Sequence, residues 1–108
     1  MAKAVTIIVS GELLGCDSQN VSRNPTVKRW MHRLTVRVSE IQFAAKRVVG
    51  RAALLEQLSP GTRLSFVCTE ERMRALMGEA PDNGTSVRFS GSYDGSPIIA
   101  LRTAQILS

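Results

Sequence analysis

Basic side chains concentrate in one stretch of the sequence, residues 23–51. That stretch carries a net charge of +7 and the remainder of the chain carries −2, within an overall charge of +5. Eleven of the 14 cations in the chain are arginines, whose planar guanidinium groups bind phosphate and stack on aromatic rings. A basic patch on a mildly acidic chain is the pattern expected for a polyanionic partner. A solvated basic surface without a partner is the alternative interpretation.

The order of residues within this stretch predicts how the arginines are presented. Residues 29–40 alternate between polar and apolar types, with the apolar phase at Leu34, Val36 and Val38. Such alternation is typical of a half-buried strand whose other face is polar. Arg33 and Arg37 would then project from one side about 13 Å apart, at a rise of about 3.3 Å per residue. That separation corresponds to about two nucleotides of an extended strand.

Proteins that bind single strands also use aromatic side chains, on which the bases stack. Trp30 lies among basic residues at the start of this strand and is the best candidate by position, although a plug at one end of the sheet is an equal interpretation. Tyr93 precedes an Asp94-Gly95 turn signal, so we expect it to be exposed at a hairpin tip. The predicted nucleic-acid-binding residues are Lys28, Arg29, Trp30, Arg33, Arg37, Lys46, Arg47 and Tyr93.

The sequence lacks the spacings that catalytic and metal sites require. No carboxylate or nucleophile stands at a useful distance from His32, the only histidine, so we expect an imidazole that is exposed or fully hydrogen-bonded. Cys16 and Cys68 have no second ligand at zinc spacing and are expected to be reduced thiols of a cytoplasmic protein, with a disulfide as the less favoured alternative. We predict that the protein is not an enzyme and uses no metal or cofactor.

Apolar periodicity and turn-forming residues predict the elements that position these side chains. In order, these are a strand at 5–15, a loop at 16–27, a strand at 29–40, a short strand at 43–49, a helix at 51–58, a strand at 62–69, a helix at 70–80 and a hairpin of 85–93 with 97–107. Gly11 inside the first strand indicates a bulge, and Phe66 and Phe89 fall in the apolar phase of their strands. Strands dominate the 108 residues, which predicts one domain of the barrel or sandwich type.

Several apolar positions and glycines resemble one known family. The segment Ile8–Leu14 is similar to the opening strand of bacterial single-stranded DNA-binding proteins and their dimeric relative, primosomal replication protein B. Later parts of the chain follow that family's order of third strand, helix, fourth strand and last strand, at residues 64–69, 70–80, 86–93 and 98–107. A second threading places the third strand at 45–50 and its helix at 51–58.

The resemblance implies a five- or six-stranded OB-fold barrel of Greek-key type with one or two short helices, over residues 1–108. It implies a homodimer that binds single-stranded DNA with little sequence preference, in replication, recombination or mobile-element maintenance, with replication or recombination proteins as candidate partners. No acidic tail follows the last strand, which favours a primosomal or mobile-element relative. A protein–protein adaptor and an RNA-binding OB-fold module are the alternatives. The apolar run at 4–10 is far shorter than the roughly 20 residues of a membrane span, so no membrane contact is expected.

Overall fold

The computed structural model describes residues 4–20, 26 and 29–107. Strands dominate them, and the two helices are short. The elements are, in chain order, β1 (Val5–Asn20), β2 (Trp30–Phe43), α1 (Arg51–Gln57), β3 (Arg63–Thr69), α2 (Glu70–Met77), β4 (Ser86–Tyr93), β5 (Ile98–Ala100) and β6 (Thr103–Ile106). The prediction of a mostly-β chain with short helices is confirmed.

The six strands form one mixed sheet in the order β5–β3–β2–β1–β4–β6. Neighbours are antiparallel except β3 and β5, which are parallel. The strands at the two edges, β5 and β6, are separated in the chain only by Leu101 and Arg102. The amide of Leu101 donates to the carbonyl oxygen of Val67 on β3, and the amide of Arg102 donates to that of Ser90 on β4, both at 2.9 Å. The described ladders do not close into a continuous barrel, but the last segment contacts both halves of the sheet.

The inward side chains of the sheet form the hydrophobic core. Phe66 of β3 and Phe89 of β4 are fully buried and meet edge to face, with ring centroids 5.3 Å apart. Both rings were expected in the core, and this prediction is confirmed. The apolar phase of β2 is buried with them, at Leu34, Val36 and Val38. Because these three point inward, the alternate residues of β2 face outward.

Gly11 allows β1 to bend between its two neighbours. The register of β1 against β2 shifts between Ser10 and Gly11 and again between Leu13 and Gly15. A Cβ atom at Gly11 would lie 2.1 Å from the carbonyl oxygen of Arg37 and 2.8 Å from Cγ1 of Val36. Only glycine therefore permits this approach of the two strands. The bulge predicted at Gly11 is confirmed.

The C-terminal ends of β1 and β2 differ from the predicted strand ends. The loop predicted at 16–27 is wrong at its start, because residues 16–20 continue β1 and pair with β2. Their polar composition favours turns, but backbone pairing with an existing strand overrides that local preference. The short strand predicted at 43–49 is also wrong. After the amide of Ala44 donates to the carbonyl oxygen of Thr6, residues 44–50 form no strand.

The helices begin where the sequence predicts and end earlier. Thr69 caps α2, since its hydroxyl accepts a hydrogen bond from the amide of Arg72 at 3.2 Å. The helix ends at Met77 rather than Ala80, because Gly78 takes a positive φ of 78° that glycine tolerates best. Because β3 is the third strand and α2 follows it, the threading that places a strand at 45–50 is wrong.

The hairpin predicted for the C-terminal part is wrong in its pairing. β4 does pair with β6, but β5, which follows the Asp94-Gly95 turn, pairs with β3. The turn itself exists, and the carboxylate of Asp94 accepts a hydrogen bond from the amide of Ser96 at 3.0 Å. It sends the chain to the other edge of the sheet, where Ile99 enters the core.

Replacement of Gly11 by alanine should destabilise the protein by about 2 kcal/mol or more, because the new methyl group collides with backbone rather than with a mobile side chain. Gly15→Ala is the matched control in the same strand, since a Cβ atom there meets nothing within 4 Å. Urea denaturation followed by circular dichroism measures both free energies of unfolding. Equal losses in the two variants would contradict the close approach at Gly11.

Candidate nucleic-acid interface

Three arginines share the outward surface of β2 and β3. Arg33 and Arg37 alternate with the buried residues of β2 and are exposed, as predicted. In the register between β2 and β3, Arg37 lies directly opposite Arg63, which is exposed as well. We call Arg33, Arg37 and Arg63 the arginine face. It presents three guanidinium groups across two adjacent strands.

The charges of the arginine face are only partly compensated. Arg37 forms a salt bridge with Glu12 of β1 at 3.2 Å, and both side chains are about half exposed. Among the described residues, neither Arg33 nor Arg63 forms a salt bridge, although Asp17 lies opposite Arg33 in the register. Like charges directly opposite each other in a sheet are destabilising, and Glu12 compensates the charge of Arg37 but not that of Arg63.

Apolar side chains border the arginine face. Val67 of β3 lies opposite Arg33 and is half-buried. On the neighbouring strand β5, Ile98 lies beside Ser65 and is 49% exposed. Both side chains are aliphatic, so they add apolar surface beside the cations but no aromatic ring on which a base could stack.

The other predicted basic residues lie far apart along β2. Arg29 and Trp30 stand at its start, where both are exposed and the amide of Arg29 donates to the side-chain oxygen of Asn20. Lys46 and Arg47 follow its other end and are also exposed. The 14 residues of β2 extend over about 43 Å at 3.3 Å per residue. The structure therefore spreads these residues along one strand instead of gathering them into one site.

Two predicted residues do not join this surface. Lys28 lies outside the described residues. Tyr93 was expected at an exposed hairpin tip, which is wrong, because its side chain is only 6% exposed and its hydroxyl donates to the side-chain oxygen of Gln57 at 3.4 Å. Burial leaves no ring face for a base to stack on. Trp30, at 39% exposure, remains the aromatic candidate.

Arg63 belongs to the arginine face but was not among the predicted residues. It lies outside the basic stretch 23–51, so a search for local charge density does not select it. Two signals together would have found it: its place in the polar phase of a strand whose core phase includes Leu64 and Phe66, and the register of that strand with β2. Only the first can be read from the sequence.

His32 differs from its expected environment. The imidazole is 8% exposed, and its Nδ1 atom shares a 2.7 Å hydrogen bond with the hydroxyl of Ser18. Its Nε2 atom is buried without a partner among the described residues. The expectation of an exposed or fully hydrogen-bonded ring is therefore wrong. An unpaired buried polar atom costs about 1–3 kcal/mol, so His32 lowers the stability of this end of the β1–β2 pairing.

The described part of the chain offers no clustered donors for a metal ion: it contains no group of three or more histidine, cysteine, aspartate or glutamate residues that could hold one. Within the same residues, neither helix is long and apolar enough to cross a membrane. Comparisons with protein-family models, curated proteins and solved structures found no match.

Both thiols should react slowly with iodoacetamide. Burial raises the pKa of Cys16, and the neighbouring Asp17 raises it further. Burial also raises the pKa of Cys68, with a smaller increase from Cys16 and an opposing effect of Arg72. Since the thiolate is the reactive form, alkylation at pH 8 should be slower than that of free cysteine and should accelerate above pH 9. Mass spectrometry of native and urea-unfolded protein measures the rates, and equal rates in both states would contradict the burial.

Proposed function

We propose that this protein binds single-stranded DNA with little sequence preference, and that the arginine face is its primary contact. The observation that carries the proposal is the set Arg33, Arg37 and Arg63 on the outer surface of two adjacent strands. Two of these arginines form no salt bridge with a described residue. Phosphates of an extended strand would pair with the guanidinium groups, while the bases rest on Val67 and Ile98.

The strand order supports an OB-fold assignment as part of this proposal. That fold is a five-stranded, partly open Greek-key barrel, and its strands 2 and 3 present the face that binds oligonucleotides. Here β1 lies between β2 and β4, α2 connects β3 to β4, and β5 runs parallel to β3. Counted as one interrupted strand, β5 and β6 give the five-stranded order. The arginine face then coincides with the surface that the fold uses for ligands.

The same assignment extends the resemblance to single-stranded DNA-binding proteins and primosomal replication protein B. Under it, Arg29 and Trp30 stand next to the connection between β1 and β2, which is a second place where OB-folds contact oligonucleotides. Trp30 would stack on a base there. A cytoplasmic homodimer acting with replication or recombination proteins completes the proposal.

The double variant Arg33→Ala with Arg63→Ala tests the arginine face. Fluorescence titration of a labelled oligo-dT should show about tenfold weaker binding, and the slope of log K against log salt should fall by about 1.4, since each lost phosphate contact to a single strand contributes about 0.7. Arg72→Ala with Arg74→Ala removes the same charge from exposed positions of α2 and should bind like the wild type.

The controls of this titration decide between nucleic acids. A duplex of equal length should bind wild-type protein at least tenfold more weakly than oligo-dT, and a matched oligo-U measures the preference for DNA over RNA. If the duplex binds equally well, or if both double variants bind alike, the proposed function is wrong.

Glu12 should act as a built-in competitor for Arg37. Glu12→Gln removes the carboxylate from the 3.2 Å salt bridge and should strengthen binding of oligo-dT by about two- to fivefold at low salt, because Arg37 then pairs with phosphate alone. Glu71→Gln, at an exposed position of α2, is the control with the same charge change. Equal gains in both variants would show that only net charge matters.

A further inference from the structure

A basic groove lies on the outer surface of β1, β4 and β6, beside the arginine face. It has a volume of about 590 Å³, and its lining residues include Thr6 of β1, Arg88 and Ser90 of β4, and Thr103 of β6. Arg102, between β5 and β6, also lines it. Ser90, 8% exposed, forms the floor and shares a hydrogen bond with the hydroxyl of Thr103. Two guanidinium groups and several hydroxyl groups thus surround one open groove.

The positive charges of this groove are not neutralised by acidic side chains of the described residues. Neither Arg88 nor Arg102 forms a salt bridge with a described residue, and no carboxylate stands among the residues that line the groove. The Nε atom of Arg88 donates to the hydroxyl of Ser10 at 3.2 Å, which orients the guanidinium group and leaves its terminal nitrogens for another acceptor. Two exposed arginines with adjacent hydroxyls match the donors that bind phosphate.

A smaller groove of about 450 Å³ connects this surface to the arginine face, since both Arg37 and Arg88 line it. In the strand registers, Arg37 lies opposite Glu12, and Glu12 lies opposite Ser86, two residues from Arg88. Two strand spacings and two residues place Arg88 about 12 Å from Arg37. That step is close to the roughly 13 Å between Arg33 and Arg37 on one strand.

The connecting groove is electrically balanced, because Glu12 and Glu40 line it together with the two arginines. A DNA strand that crosses this groove would therefore meet no net positive charge there. Beyond it, one further strand spacing and about three residues separate Arg88 from Arg102, or about 11 Å. From Arg33 through Arg37 and Arg88 to Arg102, the successive separations are thus about 13, 12 and 11 Å, and Arg63 lies beside Arg37.

We propose that the groove of Arg88 and Arg102 binds the phosphodiester backbone of the same single strand after it leaves the arginine face. This inference rests on the proposed function and adds a second contact region to it. Once the first region is bound, binding in the second is intramolecular, so affinity should rise when an oligonucleotide becomes long enough to reach both.

Titrations of oligo-dT with increasing length test the path. Wild-type protein should bind a strand of about 12 nucleotides more tightly than one of about 4, which is too short to reach beyond the arginine face; both lengths lie within the range of OB-fold site sizes. Arg88→Ala with Arg102→Ala should weaken binding of the long strand by about tenfold, lower its salt slope by about 1.4, and change binding of the short strand by less than about twofold. Arg88→Lys with Arg102→Lys should retain most of the long-strand affinity because it retains the charges.

The outcomes separate this inference from the proposed function. If wild-type protein binds oligo-dT and the double alanine variant keeps the full length dependence, the second contact region is wrong while the arginine face stands. Equal weakening at both lengths would make the groove the primary site, which also overturns the inference. Thymidine monophosphate competing as well as the long strand would indicate a small-phosphate site instead. Absence of any single-strand binding by wild-type protein refutes both proposals.

Discussion

The simultaneous pairing of β1 with β2 and β4 is the constraint on which the rest of the structure depends. β1 pairs with both neighbours at Gly11, and its register with β2 shifts there, where the backbone of β2 comes too close for any side chain. On the outer surface, the arginine face of β2 and β3 therefore lies on one side of β1, and Arg88 of β4 lies on the other.

The local pattern of apolar residues was sufficient to predict the features that depend on burial. The alternation of Leu34, Val36 and Val38 is enough to turn Arg33 and Arg37 outward, and Phe66 and Phe89 occupy the core that their phase indicates. These features depend only on which face of a strand avoids water. The helix starts were also predictable, since capping and composition are local properties.

Long-range pairing could not be predicted in the same way. Residues 16–20 have the composition of a turn and become strand because β2 supplies the hydrogen-bonding partners. Tyr93 precedes a good turn dipeptide, but the chain beyond it joins β3 before β6 returns along β4, and the ring is buried. The apposition of Arg37 and Arg63 likewise exists only once the register of two distant strands is set. Each missed feature depends on a partner that the local sequence does not specify.

The sheet is completed by its last segment. Residues 98–106 supply both edge strands, with β5 pairing to β3 and β6 pairing to β4. During synthesis from the N-terminus, β3 and β4 therefore expose unpaired edges until those residues emerge. Such edges readily pair with other chains, and contacts between residues distant in sequence form slowly. Until residues 98–106 are in place, both of these strands thus remain open to pairing with other chains.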